Sequence, residues 1–262
     1  MILEIKNLTV HYQSTPQNRA ALDDVSFSVN ENEIVGIVGE SGSGKSTLAF
    51  SILDLLPLDA YTKGDIFFRQ ESIFKARKTR LESLRGNNLG LIMQEPASSF
   101  NPVLSIGYQV REVLRIKKGL RAKSQFNEAI DTVFNKVRLK EAKRVLASYP
   151  HELSGGQLQR VALAMTLMLE PSLIIADEPT SSLDVTTESE IINLLKALRR
   201  EYRFSMLFIT HNLDLVKALC DRLVVLRAGK VVEAAAVDNF FRAPGENYSK
   251  SLLASFKELG EL

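Results

Sequence analysis

Ile34-Val35-Gly36-Ile37-Val38-Gly39-Glu40-Ser41-Gly42-Ser43-Gly44-Lys45-Ser46 is the stretch that decides the fold. Its first five residues form an almost unbroken apolar run, the pattern of a strand covered on both faces. Gly39 to Ser46 then fits G-x-x-x-x-G-K-[ST], a phosphate-binding loop. The context agrees: a buried strand stands directly before it, and a helix is predicted directly after it, from about Lys45 to Leu56, stopped by Pro57. Glycines at these positions let successive backbone N–H groups turn inward around phosphates, and the helix start adds unpaired donors and a positive dipole end. Lys45 offers a mobile point charge to the β- and γ-phosphates, and the Ser46 hydroxyl suits Mg²⁺.

Working outward from the loop, Leu8, Val10 and Tyr12 alternate on one face of an extended segment, and Val25, Phe27 and Val29 repeat the pattern after a polar loop, Ser14 to Arg19. Half-buried antiparallel strands are expected there. Buried strands are predicted at Leu89–Met93, Leu173–Ala176, Met206–Thr210 and Leu223–Leu226, with helical patterns at Gln125–Val137, Gln157–Leu169 and Glu188–Tyr202. Such alternation implies an α/β fold with a mainly parallel sheet. The stretch from about Glu95 to Ser154 lacks a convincing buried strand and reads as a helical insertion. Beyond Val237 the chain is amphipathic, with a turn at Pro244-Gly245, and reads as an appendage.

Composition narrows the classes. The chain has 262 residues, 45% apolar and 24% charged, so a substantial core is available and disorder is excluded. Lys and Arg number 33 against 31 Asp and Glu, which gives no electrostatic reason to expect nucleic acid as a partner. The single cysteine, Cys220, can form neither an internal disulfide nor a cysteine-based metal site, and with no signal peptide evident the expectation is a cytosolic chain. No apolar run approaches the roughly 20 residues that span a bilayer.

Two further motifs carry chemistry. Leu173-Ile174-Ile175-Ala176-Asp177-Glu178 is an apolar strand ending in two carboxylates, which would repel each other unless a positive group sits there. Mg²⁺ on a nucleotide meets that need, with Asp177 holding the metal through water and Glu178 polarising the attacking water as general base. Leu153-Ser154-Gly155-Gly156-Gln157 is locally a capping box, with Ser154 as N-cap, Gln157 at the third helical position, and two glycines that allow close backbone approach to a ligand.

That pentapeptide is also the signature motif of ABC ATPases, and the resemblance extends over essentially the whole chain. It implies the ABC ATPase fold: a P-loop NTPase (RecA-like) core with an antiparallel β subdomain and an α-helical insertion. The expected domain is 1–250, with the helical subdomain at about 95–160 and a tail over 237–262. Under the resemblance Tyr12 corresponds to the aromatic that stacks on adenine, and Gly39, Glu40, Ser41, Gly42, Ser43, Gly44, Lys45, Ser46 and Thr47 to the Walker A loop. Gln94 matches the Q-loop glutamine, counted with Ser46 and Asp177 as a Mg²⁺ ligand. Ser154, Gly155, Gly156 and Gln157 match the ATP-contacting signature, and Asp177 and Glu178 match Walker B. Ser181-Ser182-Leu183-Asp184 matches the D-loop, and His211 the switch histidine that senses the γ-phosphate. The implied reaction is ATP hydrolysis in a head-to-tail dimer, with Lys45, Glu178 and His211 as its catalytic residues. Each nucleotide would lie between one subunit's Walker loop and the other's signature.

Gln94-Glu95-Pro96 followed by Ser99-Phe100-Asn101-Pro102, and Tyr149-Pro150-His151-Glu152 before the signature, resemble the peptide and nickel importer branch. So does the ending Phe240-Phe241-Arg242-Ala243-Pro244-Gly245-Glu246-Asn247-Tyr248-Ser249, although Glu246 and Asn247 replace the branch's histidine and proline. The branch implies peptides or nickel and metal chelates as substrates, two integral membrane permease subunits and an external solute-binding protein. It also implies a second ATPase subunit, identical or a paralogue, and a place on the cytoplasmic face of the membrane. The iron–sulfur cluster of longer members is not expected with one cysteine. A soluble ABC ATPase acting on DNA or ribosomes would carry a long coiled-coil insertion or tandem cores, which this sequence lacks. The Q-loop and the C-terminal resemblance argue against an exporter.

Overall fold

β-Branched and aromatic residues in alternation open the chain, and they form the pair expected of them. In the computed structural model, which describes residues 1–13 and 20–258, β1 (Leu3–Tyr12) runs antiparallel to β2 (Leu22–Val29), with Leu3 opposite Val29 and Ile5 opposite Phe27. The polar loop expected at Ser14–Arg19 lies outside the described residues. β3 (Ile34–Val38) is buried along its whole length, and α1 (Lys45–Ile52) follows the glycine loop. This helix ends before Pro57 is reached. Asp54 adopts a left-handed conformation (φ 49°), Leu55 N–H donates to the Phe50 carbonyl at 2.8 Å, and Asp54 N–H donates to the Ser51 carbonyl at 3.1 Å. That pair of hydrogen bonds is a Schellman stop, here made without glycine.

β4 (Ala60–Phe68) pairs with the other edge of β1, Leu3 opposite Phe68, and β5 (Glu71–Ser72) completes a four-stranded antiparallel sheet of order β2-β1-β4-β5. Nothing in the alternation marks β4 as a strand. Its first half is polar, its register against β1 shifts between Lys6 and Thr9, and only Ile66 and Phe68 carry buried apolar side chains on alternate positions. α2 (Lys78–Asn87) follows, with a break at Arg85-Gly86.

The chain divides into two compact units, Met1–Glu82 together with Phe204–Leu262, and Ser83–Arg203. In the second unit β6 (Leu89–Ile92) pairs in parallel with β7 (Leu173–Asp177). Between them lie α3 (Ile106–Lys118), α4 (Lys123–Lys136), α5 (Ala142–Ala147) and α6 (Gly155–Leu167), and α7 (Val185–Tyr202) follows β7. The core of this unit is built from the apolar stripes of these helices, among them Val110, Leu114, Ile130, Phe134, Val161 and Leu195.

The chain then returns to the first unit with β8 (Ser205–Ile209), α8 (Leu213–Leu219), β9 (Arg222–Arg227), β10 (Lys230–Ala236), α9 (Val237–Arg242) and α10 (Asn247–Glu258). β3 lies between β8 and β9 and is parallel to both, while β10 pairs antiparallel with β9. A central parallel strand must be apolar on both faces, which is why Ile34 to Val38 carry no polar side chain. Glu33, just before β3, is a buried carboxylate with two partners: Arg222 Nη1 donates to it at 3.1 Å and Asn30 N–H at 2.6 Å. These bonds tie the β2–β3 turn to the start of β9 and satisfy a charge that would otherwise be costly to bury.

Phe208, fully buried on β8, is a direct probe of this core. Phe208→Ala is expected to destabilise the chain by about 3–5 kcal/mol through lost burial and the cavity left behind, read as a lower urea midpoint with an unchanged slope.

Candidate functional site

Gly39 to Ser46 turns sharply between β3 and α1, and the turn depends on backbone freedom. Gly44 caps α1 with φ 106°, and a Cβ there would lie 2.5 Å from the Ala21 carbonyl oxygen. Gly44, the N-cap of α1, has no side chain to satisfy the helix's first-turn N–H groups, and a helix start of that kind suits an anion. Lys45 is buried, and its ammonium donates to the carbonyls of Gly39 at 2.8 Å and Glu40 at 2.9 Å. The loop thus wraps a cation in its own carbonyls. Ser43 Oγ is buried with no hydrogen-bond partner among the described residues. An unpartnered buried hydroxyl in a loop of inward donors fits a phosphate oxygen. Ser46, the next side chain, is exposed.

Tyr12, at the end of β1, is half-buried, and its hydroxyl donates to Thr47 Oγ1 at 3.1 Å. The expected adenine-stacking aromatic is therefore fixed to the first turn of α1. His211 follows β8 as an exposed residue, next to Asn212, whose side chain caps α8 by accepting from Asp214 N–H at 2.8 Å.

In the second unit, Gln94 is exposed two residues past β6, before a 3₁₀ turn at Pro96–Ser99. Asp177 is the last residue of β7 and Glu178 the first beyond it, both half-buried. Glu178 takes a left-handed backbone (φ 45°), and its carbonyl accepts from Ser181 N–H at 3.2 Å. A non-glycine residue in that region is strained, and such strain clusters where a side chain must be aimed. Asp184 caps α7. The Thr187 N–H at 2.9 Å, and then the Thr187 hydroxyl at 2.8 Å, hold its carboxyl below the ordinary value.

The capping box of α6 forms as expected: Gln157 N–H donates to Ser154 Oγ at 3.3 Å and Ser154 N–H donates to Gln157 Oε1 at 3.1 Å. The two glycines are unequal. A Cβ on Gly156 would lie 2.7 Å from Thr187 Cγ2 on α7, so its missing side chain serves helix packing, whereas Gly155 is exposed. Arg160 escaped notice in the sequence. It donates to the Val137 carbonyl at 3.0 Å and to Glu190 at 2.6 Å, tying α6 both to the end of α4 and to α7. The available clue was a cation three residues past Gln157 in an otherwise apolar helix.

Mg²⁺ prefers a few oxygen ligands alongside water and phosphate. Ser46, Gln94 and Asp177 are all oxygen donors of that kind, and among the described residues no group of three or more His, Cys, Asp or Glu could form a protein-only cage. Taken singly, each of these side chains has the chemistry to accompany a hydrated ion carried on a nucleotide.

The ABC transporter family profile matches residues 22–181, a span that includes the glycine loop, the α6 cap and the carboxylate pair. The chain belongs to the ABC transporter family. It is an ATPase cassette of that family, and its fold is the ABC ATPase fold. The oligopeptide transport ATP-binding protein OppD of Haemophilus influenzae is 37% identical over 258 residues, covering 98% of this chain and 80% of that protein. The glutathione import ATP-binding protein GsiA of Pectobacterium atrosepticum is 38% identical over 268 residues, and there the chain spans only 43% of the relative. Among solved structures, the dimeric cassette MJ0796 in a post-hydrolysis state with ADP and Pi superposes with a TM-score of 0.79. It is 29% identical, over 90% of this chain and 99% of that one.

Gly44 offers the sharpest test of the loop within this ABC cassette. Gly44→Ala meets both an unfavourable φ and the Ala21 carbonyl, so a loss of at least about tenfold in nucleotide affinity is expected, given the roughly 1–2 kcal/mol cost of a left-handed residue with a Cβ. Titration with a fluorescent nucleotide reads it.

Proposed function

We propose that the chain is the ATP-hydrolysing subunit of an importer, energising uptake of peptides through partner membrane subunits. The observation that carries this reading is the loop after β3, where a buried Lys45 ammonium and a Ser43 hydroxyl with no partner among the described residues stand at a helix start that has no side-chain cap. The peptide and glutathione names of the relatives favour the peptide arm of the expectation over nickel or metal chelates.

In this reading Gly39 to Thr47 enclose the phosphates, with Lys45 donating to the β- and γ-oxygens and Tyr12 stacking on the adenine. Ser46, Gln94 and Asp177 would hold Mg²⁺, which neutralises phosphate charge when bound. Glu178 polarises the attacking water, and His211 senses the γ-phosphate. Ser154, Gly155, Gly156 and Gln157 offer the α6 start to the γ-phosphate of a nucleotide held by a second ATPase subunit. Gly155 and the Ser154 side chain are the exposed members of that set. The helical stretch at about 95–160 acts as the inserted signature subdomain, and 237–262 as a tail to the ATPase domain.

The working form is then a head-to-tail dimer with an identical chain or a paralogue, in which ATP favours the closed state and hydrolysis releases it. The MJ0796 cassette, a dimer bound to ADP and Pi, supports that arrangement. No helix among the described residues is long and apolar enough to cross a membrane. In this reading two permease subunits form the pore, a solute-binding protein delivers substrate, and the chain works on the cytoplasmic face.

Glu178→Gln separates binding from chemistry. It is expected to retain ATP affinity while hydrolysis falls roughly 10²- to 10⁴-fold, the usual worth of a general base, and to accumulate an ATP-dependent dimer by light scattering. Unchanged turnover in this variant would remove Glu178 from its role. An unchanged mass with Mg-ATP, alone and with the partner ATPase, would remove the dimer.

A further inference from the structure

The second unit carries a cleft of about 460 Å³ that the nucleotide chemistry does not use. Two rows of α4 form one wall: Glu128, Thr132 and Lys136 at i, i+4 and i+8, and beside them Ala129 and Val133. The end of α6 supplies a second wall through Leu167 and Met168, both buried. A volume of this size lies within the range of ligand sites, which are typically apolar with a few placed polar groups.

The two ends of the cleft differ in charge. Nearer the start of α4, the exposed Glu128 is joined by Glu170, whose carboxylate lies 3.6 Å from the Lys118 ammonium at the end of α3. At the other end the Lys136 ammonium stands 4.6 Å from the centre of the Tyr202 ring, and Glu201, outside the cleft, pairs with it. An ammonium has three donors, so one held by Glu201 can still donate to a ligand.

The spacing of these ends sets the size of what they could hold. Glu128 and Lys136 are two turns apart, about 12 Å along the helix. An extended chain rises about 3.3–3.6 Å per residue, so a segment of roughly three or four residues reaches from one to the other. Its middle would rest on Ala129, Val133 and the end of α6, an apolar surface suited to short side chains, with the Thr132 hydroxyl beside its peptide groups.

We propose that this cleft binds a short zwitterionic peptide, with the peptide's α-ammonium at Glu128 and Glu170 and its α-carboxylate at Lys136. Under the importer reading this is the class of molecule that transport delivers, and the cleft samples it at the end of the helix that begins with Gly155. That link to uptake rests on the importer reading; the binding itself does not.

Isothermal titration of the full chain with tetra-alanine is the test, with N-acetylated tetra-alanine, tetra-alanine amide and dialanine for comparison. Saturable binding of tetra-alanine is expected. Blocking either end, or shortening the peptide to dialanine, is expected to weaken it at least about tenfold, the scale of one lost charged hydrogen bond. Lys136→Gln should bind the free acid and the amide equally, and Glu128→Gln should narrow the gap between free and acetylated amine, both with an unchanged circular dichroism spectrum. No binding of tetra-alanine, equal binding of free and blocked peptides, or an unchanged preference for the free acid in Lys136→Gln would each overturn the proposal. The titration needs neither nucleotide nor permease, so these results bear on the cleft alone. Peptide uptake by the assembled transporter, measured separately, decides the importer reading.

Discussion

A buried ammonium needs acceptors, and the geometry of this protein's first unit follows from giving Lys45 its acceptors. Two carbonyls of the loop, from Gly39 and Glu40, supply them. To present both carbonyls inward the backbone must enter φ values that favour glycine, and to hold them still the loop must rest on something rigid. β3, buried between β8 and β9, anchors one end, and the β9–β10 hairpin supports the outside of the turn. The same arrangement leaves the Ser43 hydroxyl without a partner among the described residues and starts α1 at Gly44, which has no side chain to cap it. The loop spends folding energy to keep donors available to an anionic ligand, a cost found at functional sites and rarely elsewhere.

The second unit repeats the theme at a different helix start. Ser154 and Gln157 satisfy each other's backbone donors at α6, Asp184 does the same for Thr187 at α7, and Arg160 locks α6 against its neighbours. Gly156 lets α7 approach closely and Gly155 stays open. In the proposed dimer, this rigid helix end with one exposed glycine is the part offered to a phosphate held by the second subunit.

Much of this was legible in the sequence because the informative residues are local. The buried strand, the glycine loop, the Ser154 capping box and the Asp177-Glu178 strand end are all contiguous motifs whose periodicity and caps state their own conformation. β4 was not legible, since half of it is polar and its burial depends on β1. The true end of α1 was hidden for a related reason: the stop is a left-handed Asp54, a residue that only tolerates that conformation, while Pro57 advertised a later one. Arg160 and the stacking of Arg227 on Tyr248 were hidden because their partners lie far away in sequence. Long-range side-chain contacts leave no periodic trace. The two signature glycines could be read as a ligand approach, but only the packing of Thr187 shows that one of them serves the fold.

The claim that the others depend on is that the Lys45 loop binds nucleotide triphosphate through its buried ammonium. Calorimetric titration of ATP into the full chain and into Lys45→Ala tests it most directly. The account requires saturable binding in the wild type and a loss of at least about tenfold in the variant, in line with removing a charged hydrogen-bond donor worth roughly 1.5–3 kcal/mol. Equal affinity in the two proteins, with both folded, would contradict it.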